Sequence, residues 1–498
     1  MTYKRSAVAM CIAFLCAFAV VLVSFPASPS TAAPLLATNT ARPTRIITQP
    51  PPPTNTLRPS QVPSATVRPG RPTRTPQPTL VIEGTYITPE IPPATAIPFP
   101  MATPVPTGDD ILTILLLGSD TVERDSTART DVIVIVVINR TAGSVSMLHF
   151  PRDLFVYAPN DTMRKINTVA ARGIEMYGKG GGVRLMKETL LYNFGIKVDR
   201  YARVGFTQFQ DIIQLLGGLD ISVDCAIQGN RLKSPELDPS VADNYEVYTL
   251  NIGRHKLEPY MALWYVRSRG SSSDVDRGRR QIEVLTAIWR QARAAGLITQ
   301  VTELFPRLLE IVDTDITFQD AVGLVPLALA LEPNQVQRIS LRQNTHFEEW
   351  YTTDTGSFAW LPIREAWEKV IQDLYLPPSP NRLGGESPRV AVAAAPQLKG
   401  YDQVVADRLA WEGYAVQLLG QQGAVNRDTI LITDYTGGAK PQSLELLRKT
   451  LRVGNSQVVV QPDPNATVDF RVDMGRDYIS SCMYSLPDLP VPTATPGS

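Results

Sequence analysis

The sequence predicts an α/β protein, a layered α-β-α domain with a mixed central sheet followed by a small C-terminal α/β domain. Three observations carry that expectation. Two continuous β-branched runs, 111–117 and 132–138, have the pattern of strands buried on both faces. Helical periodicities follow at 182–193, 206–216 and 277–294. Beyond residue 389 short strand and helix patterns alternate once more, after a Pro/Gly/Ser-rich break.

Taken in order, Lys4 and Arg5 precede an uncharged apolar run at 7–25, the basic-then-apolar order that a secretory machinery reads. Residues 1–33 are therefore expected to be a signal peptide or an N-terminal membrane anchor. The run approaches the ~20 residues that span a bilayer, which favours the anchor, while Ser30 to Ala33 offer small residues for cleavage. Either way the remainder is exported to the cell envelope. Residues 34–107 are rich in proline and threonine and bury too little to fold, so they are expected to form a disordered linker. The principal domain is placed at 108–376. Its third strand, 144–150, joins the second through the turn Asn139-Arg140-Thr141-Ala142-Gly143, making a hairpin. Gly217-Gly218 stops the second helix, and a helical stretch at 298–331 completes the domain. A linker is expected at 377–388. The module at 389–477 carries strands near 389–393, 415–419, 429–433 and 457–461, with helices at 402–412 and 441–451. A Pro-rich tail, 478–498, ends the chain.

Composition removes several functions. Lysine plus arginine and aspartate plus glutamate number 48 each, so no global basic field favours nucleic acid and any anion site must be local. His149, His255 and His346 are scattered without zinc-ligand spacing, and they support neither a His-based metal site nor a serine triad. The glycine run 178–182 follows no predicted strand and lacks the Lys-Ser/Thr of a phosphate-cradling loop, so it reads as a flexible loop. Of four cysteines, Cys11 and Cys16 lie in the apolar run, which leaves Cys225 and Cys482 as the pair open to a disulfide.

The hairpin brings Asp131, just before the second strand, and Arg152, just after the third, to one sheet edge. An antiparallel first strand would add Asp120, so that two carboxylates and an arginine converge where ligands of α/β sheets commonly bind. A second cluster runs from Arg267 and Arg269 through Asp274 and Asp276 to Arg277, Arg279, Arg280 and Gln281. Helical spacing groups Arg277, Arg280 and Gln281 with Val284, Leu285 and Ile288, so a buried stripe begins with two arginines. Buried guanidinium groups need anionic partners, supplied by a phosphate or by Asp274 and Asp276. Arg279 falls on the other face with Glu283 and reads as solvated. Lys165 and Asn167 would add donors.

This series of motifs resembles the LytR-CpsA-Psr family. It comprises Leu116-Leu117-Gly118-Ser119-Asp120, Ala128-Arg129-Thr130-Asp131, Phe150-Pro151-Arg152-Asp153, Lys165-Ile166-Asn167, Leu216-Gly217-Gly218-Leu219-Asp220 and Tyr265-Val266-Arg267-Ser268-Arg269, then Asp274-Val275-Asp276-Arg277 with Arg280-Gln281. The match is firm from about 109 to 294 and looser to about 375, and residues 389–477 resemble the LytR-type C-terminal domain of some members.

The resemblance implies transfer of a glycan phosphate from a polyprenyl diphosphate carrier onto peptidoglycan or another envelope acceptor, at the cytoplasmic membrane, with Mg2+ or another divalent cation such as Mn2+. Carried over residue by residue, Asp120 and Asp131 would hold the metal. Arg129, Arg152, Arg267, Arg269, Arg277 and Arg280, with Lys165 and Gln281, would bind the diphosphate. Asp120, Asp131, Arg152 and Arg277 are expected to be catalytic, with Asp120 or Asp153 as base. The family's apolar lipid tunnel would draw on 206–216 and 322–331, helices that core packing also explains. Two other readings share these residues: a lipid diphosphate phosphohydrolase with water as acceptor, and a non-catalytic wall-glycan binding or regulatory protein.

Overall fold

The computed structural model describes residues 100–119, 129–269, 274–352, 356–378, 386–421 and 423–478. The apolar run at 7–25, Asp120 and Cys482 lie outside the described residues, as does most of each expected linker. Among the described residues no helix is long and apolar enough to cross a membrane.

A six-stranded mixed sheet organises the principal domain. Its first strands are β1 (Ile111–Ser119), β2 (Thr130–Asn139) and β3 (Ser144–His149). Strand order is Asp313–Thr314, Arg200–Val204, β1, β2, β3, Val336–Ile339. β1 to β3 pair antiparallel as the turn logic requires, while Arg200–Val204 and Val336–Ile339 join parallel on either side. The continuous apolar runs are explained by burial on two sides. Ile114, Leu116, Val134 and Val136 enter one core, and Leu115, Leu117, Ile133 and Ile135 the other. One face is covered by α1 (Val169–Tyr177), α2 (Gly181–Phe194) and α8 (Arg364–Tyr375), whose Leu185, Leu190 and Trp367 lie in that second core. The other face takes α3 (Phe206–Leu215), α4 (Pro259–Arg267), α5 (Asp274–Ala294), α6 (Val301–Ile311) and α7 (Phe318–Ala330).

Several sequence expectations need correction. Only 178–180 of the glycine run is a loop, because Gly181 and Gly182 open α2 and cross α1 at backbone distance. A Cβ on Gly181 would stand 2.2 Å from the carbonyl oxygen of Gly173. The helical stretch at 298–331 is broken, because Asp313–Thr314 leaves α6 to extend the sheet before the Thr317 capping box starts α7. The first linker ends earlier than residue 107: the amides of Ala102 and Val105 donate to the carbonyls of Tyr192 and Gly195 at 2.8 and 3.0 Å.

The C-terminal module builds its own five-stranded sheet, in the order Ala415–Gly420, Arg389–Ala393, Phe470–Asp473, Leu431–Asp434, Val458–Val460. Helices α9 (Tyr401–Glu412) and α10 (Pro441–Leu451) pack on it. The module exceeds its expected bounds at both ends. Glu386 accepts the Gln442 and Ser443 amides at the start of α10 at 3.1 and 2.8 Å, and Tyr478 is buried in the core. Strand Phe470–Asp473 was not expected. Cys225 is disulfide-bonded.

Candidate functional site

The site lies where β1 and β2 end and α4 meets α5. Gly118 lets the two strands approach there, since a Cβ on it would meet the Val132 Cβ at 2.8 Å. A cavity of about 600 Å³ opens at this edge. Its polar lining includes Ser119, Asp131, Arg267, Arg269, Arg277 and Gln281, and its apolar lining Phe206, Phe209, Leu263, Trp264, Val284 and Leu285. Helix α3 thus contributes to the wall through Phe206 and Phe209, whereas α7 is packed into the core and does not line it.

The hairpin brings Asp131 and Arg152 together, as its geometry requires. Arg152 Nη1 donates to both Asp131 carboxylate oxygens at 2.9 and 3.0 Å, and its Nε donates to Asp153 at 3.2 Å. Burial opposes the Arg152 charge, but Asp131 and Asp153 outweigh it and raise its pKa. Lys165 Nζ lies 3.3 Å from Asp153, so that carboxylate is tied to two cations. Asn167 is buried beneath, with its Oδ1 lacking a hydrogen-bond partner among the described residues. Arg129 is exposed just ahead of β2.

Across the cavity, α5 supplies Arg277, which is only 2% exposed. It pairs with Asp274, and its buried Nε has no hydrogen-bond partner among the described residues. Burial lowers its pKa to about 10, Asp274 opposing, so it stays charged near neutrality. Arg269 reaches 3.9 Å from Asp131 and stays half-exposed. Arg267 packs its guanidinium over the Phe206 ring, 4.1 Å from the centroid. Gln281 donates to the Val266 carbonyl at 3.2 Å while lining the cavity.

Arg280 departs from expectation. It is fully buried and does not line the cavity. Its guanidinium donates to the carbonyls of Tyr265 and of Ser268 (2.6 Å) and to Asp276 (3.3 Å), which ties the end of α4 to α5. Arg279 departs too. It is not solvated but held by Asp276 at 3.0 Å, Asp224 at 2.7 Å and Glu283. Its partner Asp224 is shared with Arg408 of the C-terminal module at 2.9 Å, a tertiary contact with no local signal in the chain. The hairpin Ile227–Leu232 with Tyr245–Leu250, which gives the cavity Asn230, Arg231 and Tyr245, was also missed. Its first strand, Ile227-Gln228-Gly229-Asn230-Arg231-Leu232, has no apolar alternation that would mark it in the sequence.

Among the described residues no group of three His, Cys, Asp or Glu side chains is arranged to hold a metal ion. The donor chemistry nevertheless suits magnesium, which needs only one or two carboxylates beside phosphate oxygens and water. Asp131 presents a partly exposed carboxylate in the cavity lining.

The family model described as LytR_cpsA_psr matches residues 95–368, more than half of the chain. The polyisoprenyl-teichoic acid–peptidoglycan teichoic acid transferase TagT of Bacillus subtilis is 30% identical over 229 residues, covering 45% of this chain and 66% of TagT. TagU of Oceanobacillus iheyensis is 30% identical over 210 residues, 42% of this chain and 59% of TagU, so the chain spans less than two thirds of either relative's length. A solved structure of YwtF (TagT) with bound octaprenyl pyrophosphate lipid superposes with a TM-score of 0.39 at 26% identity, covering 56% of this chain and 97% of that one. With the family model spanning more than half of its length, the chain belongs to the LytR_cpsA_psr family.

Proposed function

We propose that the protein is a cell-envelope phosphotransferase that moves a glycan phosphate from a polyprenyl diphosphate carrier onto peptidoglycan or another envelope acceptor. One observation carries the reading: a cavity of about 600 Å³ lined by both arginines and apolar side chains matches the two parts of a lipid diphosphate. The transferase and lipid named for the relatives support it.

In this reading Arg277, Arg269 and Arg152 hold the diphosphate, Arg277 offering an Nε that has no partner within the described chain. Phe206, Phe209, Leu263 and Val284 take the first isoprene units. The acceptor hydroxyl attacks the glycan-side phosphorus, the bond to the carrier phosphate breaks, and polyprenyl monophosphate leaves while the hydroxyl proton passes to a carboxylate. The arginines offset charge developing on the phosphoryl oxygens and the leaving group. Asp153, bound to Arg152 and Lys165, is one candidate for that acceptor, and Asp120 is the other. A magnesium or manganese ion, held by Asp131 with Asp120, would supply Lewis-acid charge to the same oxygens.

The test is transfer from a synthetic polyprenyl diphosphate glycan to peptidoglycan oligomers by the full-length protein with Mg2+. Product joined through a glycan phosphate, lost in Asp120→Ala and Arg277→Ala, is the expected result. Release of free glycan phosphate with peptidoglycan present would make it a phosphohydrolase. Tight lipid binding without turnover, unaffected by Asp120→Ala, would make it a binding protein.

A further inference from the structure

Helix α5 has a second cavity on its other side. It measures about 560 Å³ and lies at the junction of the principal domain with the C-terminal module. Six cations line it, Arg279, Arg338 and Arg342 from the principal domain and Arg408, Lys449 and Arg452 from the module. Against them stand three carboxylates, Asp276, Glu283 and Glu412, and the first two are engaged by Arg279.

Even with Asp224 behind Arg279 and Arg408, positive charge is left over in this cavity. The Arg338 side chain makes no hydrogen bond or ion pair among the described residues, and its guanidinium only stacks over Trp411, 4.9 Å from the ring centroid. The Arg342 side chain likewise has none. Inside the junction, Arg408 Nε and Arg279 Nη2 are buried without a hydrogen-bond partner among the described residues. Burial lowers the pKa of Arg338 against the pull of Glu283 and Glu412, and burial followed by the Arg408 charge lowers that of Arg452. His149, at the cavity's inner end, adds no positive charge, because burial and then Arg277 hold its pKa near 3. Unpaired guanidinium groups in a partly closed cavity are costly, and an oxyanion relieves that cost through paired N–H donors.

We propose that the junction cavity is a second anion site that binds a phosphate-bearing ligand, clamped between the principal domain and the C-terminal module. The site is separate from the donor cavity and does not depend on the transferase reading. Its ligand could be a phosphodiester of an anionic envelope polymer or a free phosphate, and the two share the chemistry that the arginines recognise. Because both modules contribute cations, occupancy couples them and raises Tm by mass action.

The full-length protein in detergent micelles is titrated calorimetrically at low salt with a short poly(glycerol phosphate) chain and, separately, with inorganic pyrophosphate. The variant Arg152→Ala/Arg269→Ala removes the contribution of the donor cavity. In that background we expect a binding event that survives and raises Tm, and that Arg342→Gln/Lys449→Gln/Arg452→Gln weakens at least ~10-fold. Those three side chains are exposed, so the triple variant folds and its Tm without ligand is the control. Tighter binding of the polymer than of pyrophosphate assigns the site to a phosphodiester chain, and equal binding assigns it to a free anion. Unchanged affinity in the triple variant, or no binding once the donor cavity is stripped, overturns the proposal.

Discussion

Arg277 and Arg280 stand one turn apart on one helix with the same chemistry and opposite tasks. Arg280 spends its donors on two carbonyls and Asp276, while Arg277 keeps a buried Nε open beside the cavity. Arg277→Lys should therefore lower the transfer rate by about 10²- to 10³-fold with little change in Tm, since an ammonium cannot reproduce the fork. Arg280→Ala should instead unfold the protein more easily, by about 1–3 kcal/mol in denaturant titration, because the Tyr265 and Ser268 carbonyls lose a buried donor while Asp276 keeps Arg279. Two titrating residues flank the same helix. Burial raises Glu283 from 4.5 to about 7, so its contribution to stability is full below pH 4.5 and is lost as pH rises through 7. Burial, then Arg277, lowers His149 from 6.5 to about 3, so its contribution is full above pH 6.5 and is lost as pH falls through 3. The slopes oppose each other between pH 4.5 and 6.5. In that window Glu283→Gln should make Tm fall on acidification and His149→Gln should make it rise. Parallel curves for the two variants would contradict the assignment.

At the scale of elements, glycines separate positions that need close approach from positions that do not. Gly181 meets the Gly173 carbonyl oxygen where α1 crosses α2, and backbone cannot give way as a side-chain tip can. Gly181→Ala should cost about 2–3 kcal/mol. Gly323, within α7, has nothing within 4 Å of an added Cβ, so Gly323→Ala should stabilise by about 0.5–1 kcal/mol. Chemical denaturation of both variants checks the contrast. That crossing also shows what the chain made legible. β1, β2 and the 389–393 strand could be read because burial on two faces writes a continuous apolar run. The convergence of Asp131 with Arg152 could be read because a short turn fixes a hairpin's register. A glycine run carries no such information, since a flexible loop and a tight helix crossing use the same residue for different reasons. The helix 298–331 was read as one because Val312 and Ile316, buried beside the short strand, continue the apolar pattern through the break.

At the scale of the molecule, the helix that carries Arg277 is also the helix on which the C-terminal module rests. Asp224 receives Arg279 of α5 at 2.7 Å and Arg408 of α9 at 2.9 Å, and Arg290 reaches Asp407 at 3.2 Å beside it. Trp411 of α9 is buried in the principal domain's core, near Trp289. Arg279 looked solvated in the sequence because, beside Asp276 and Glu283 on its own helix, its third partner Asp224 lies 55 residues upstream and links it to the next module. A shared carboxylate makes the two arginines interdependent. Removing Asp224 takes the carboxylate that Arg408 pairs with and one of three from Arg279, whereas removing Arg408 leaves Asp224 still bound to Arg279. Asp224→Ala should thus cost about 3–5 kcal/mol and Arg408→Ala clearly less, and the double variant should be less damaged than the sum by about 0.5–3 kcal/mol. Urea titrations of the three variants measure that coupling directly. Additive costs would mean that the module is tethered without bearing on α5, and then the lost charge pair could not alter the arginine presented to the donor cavity.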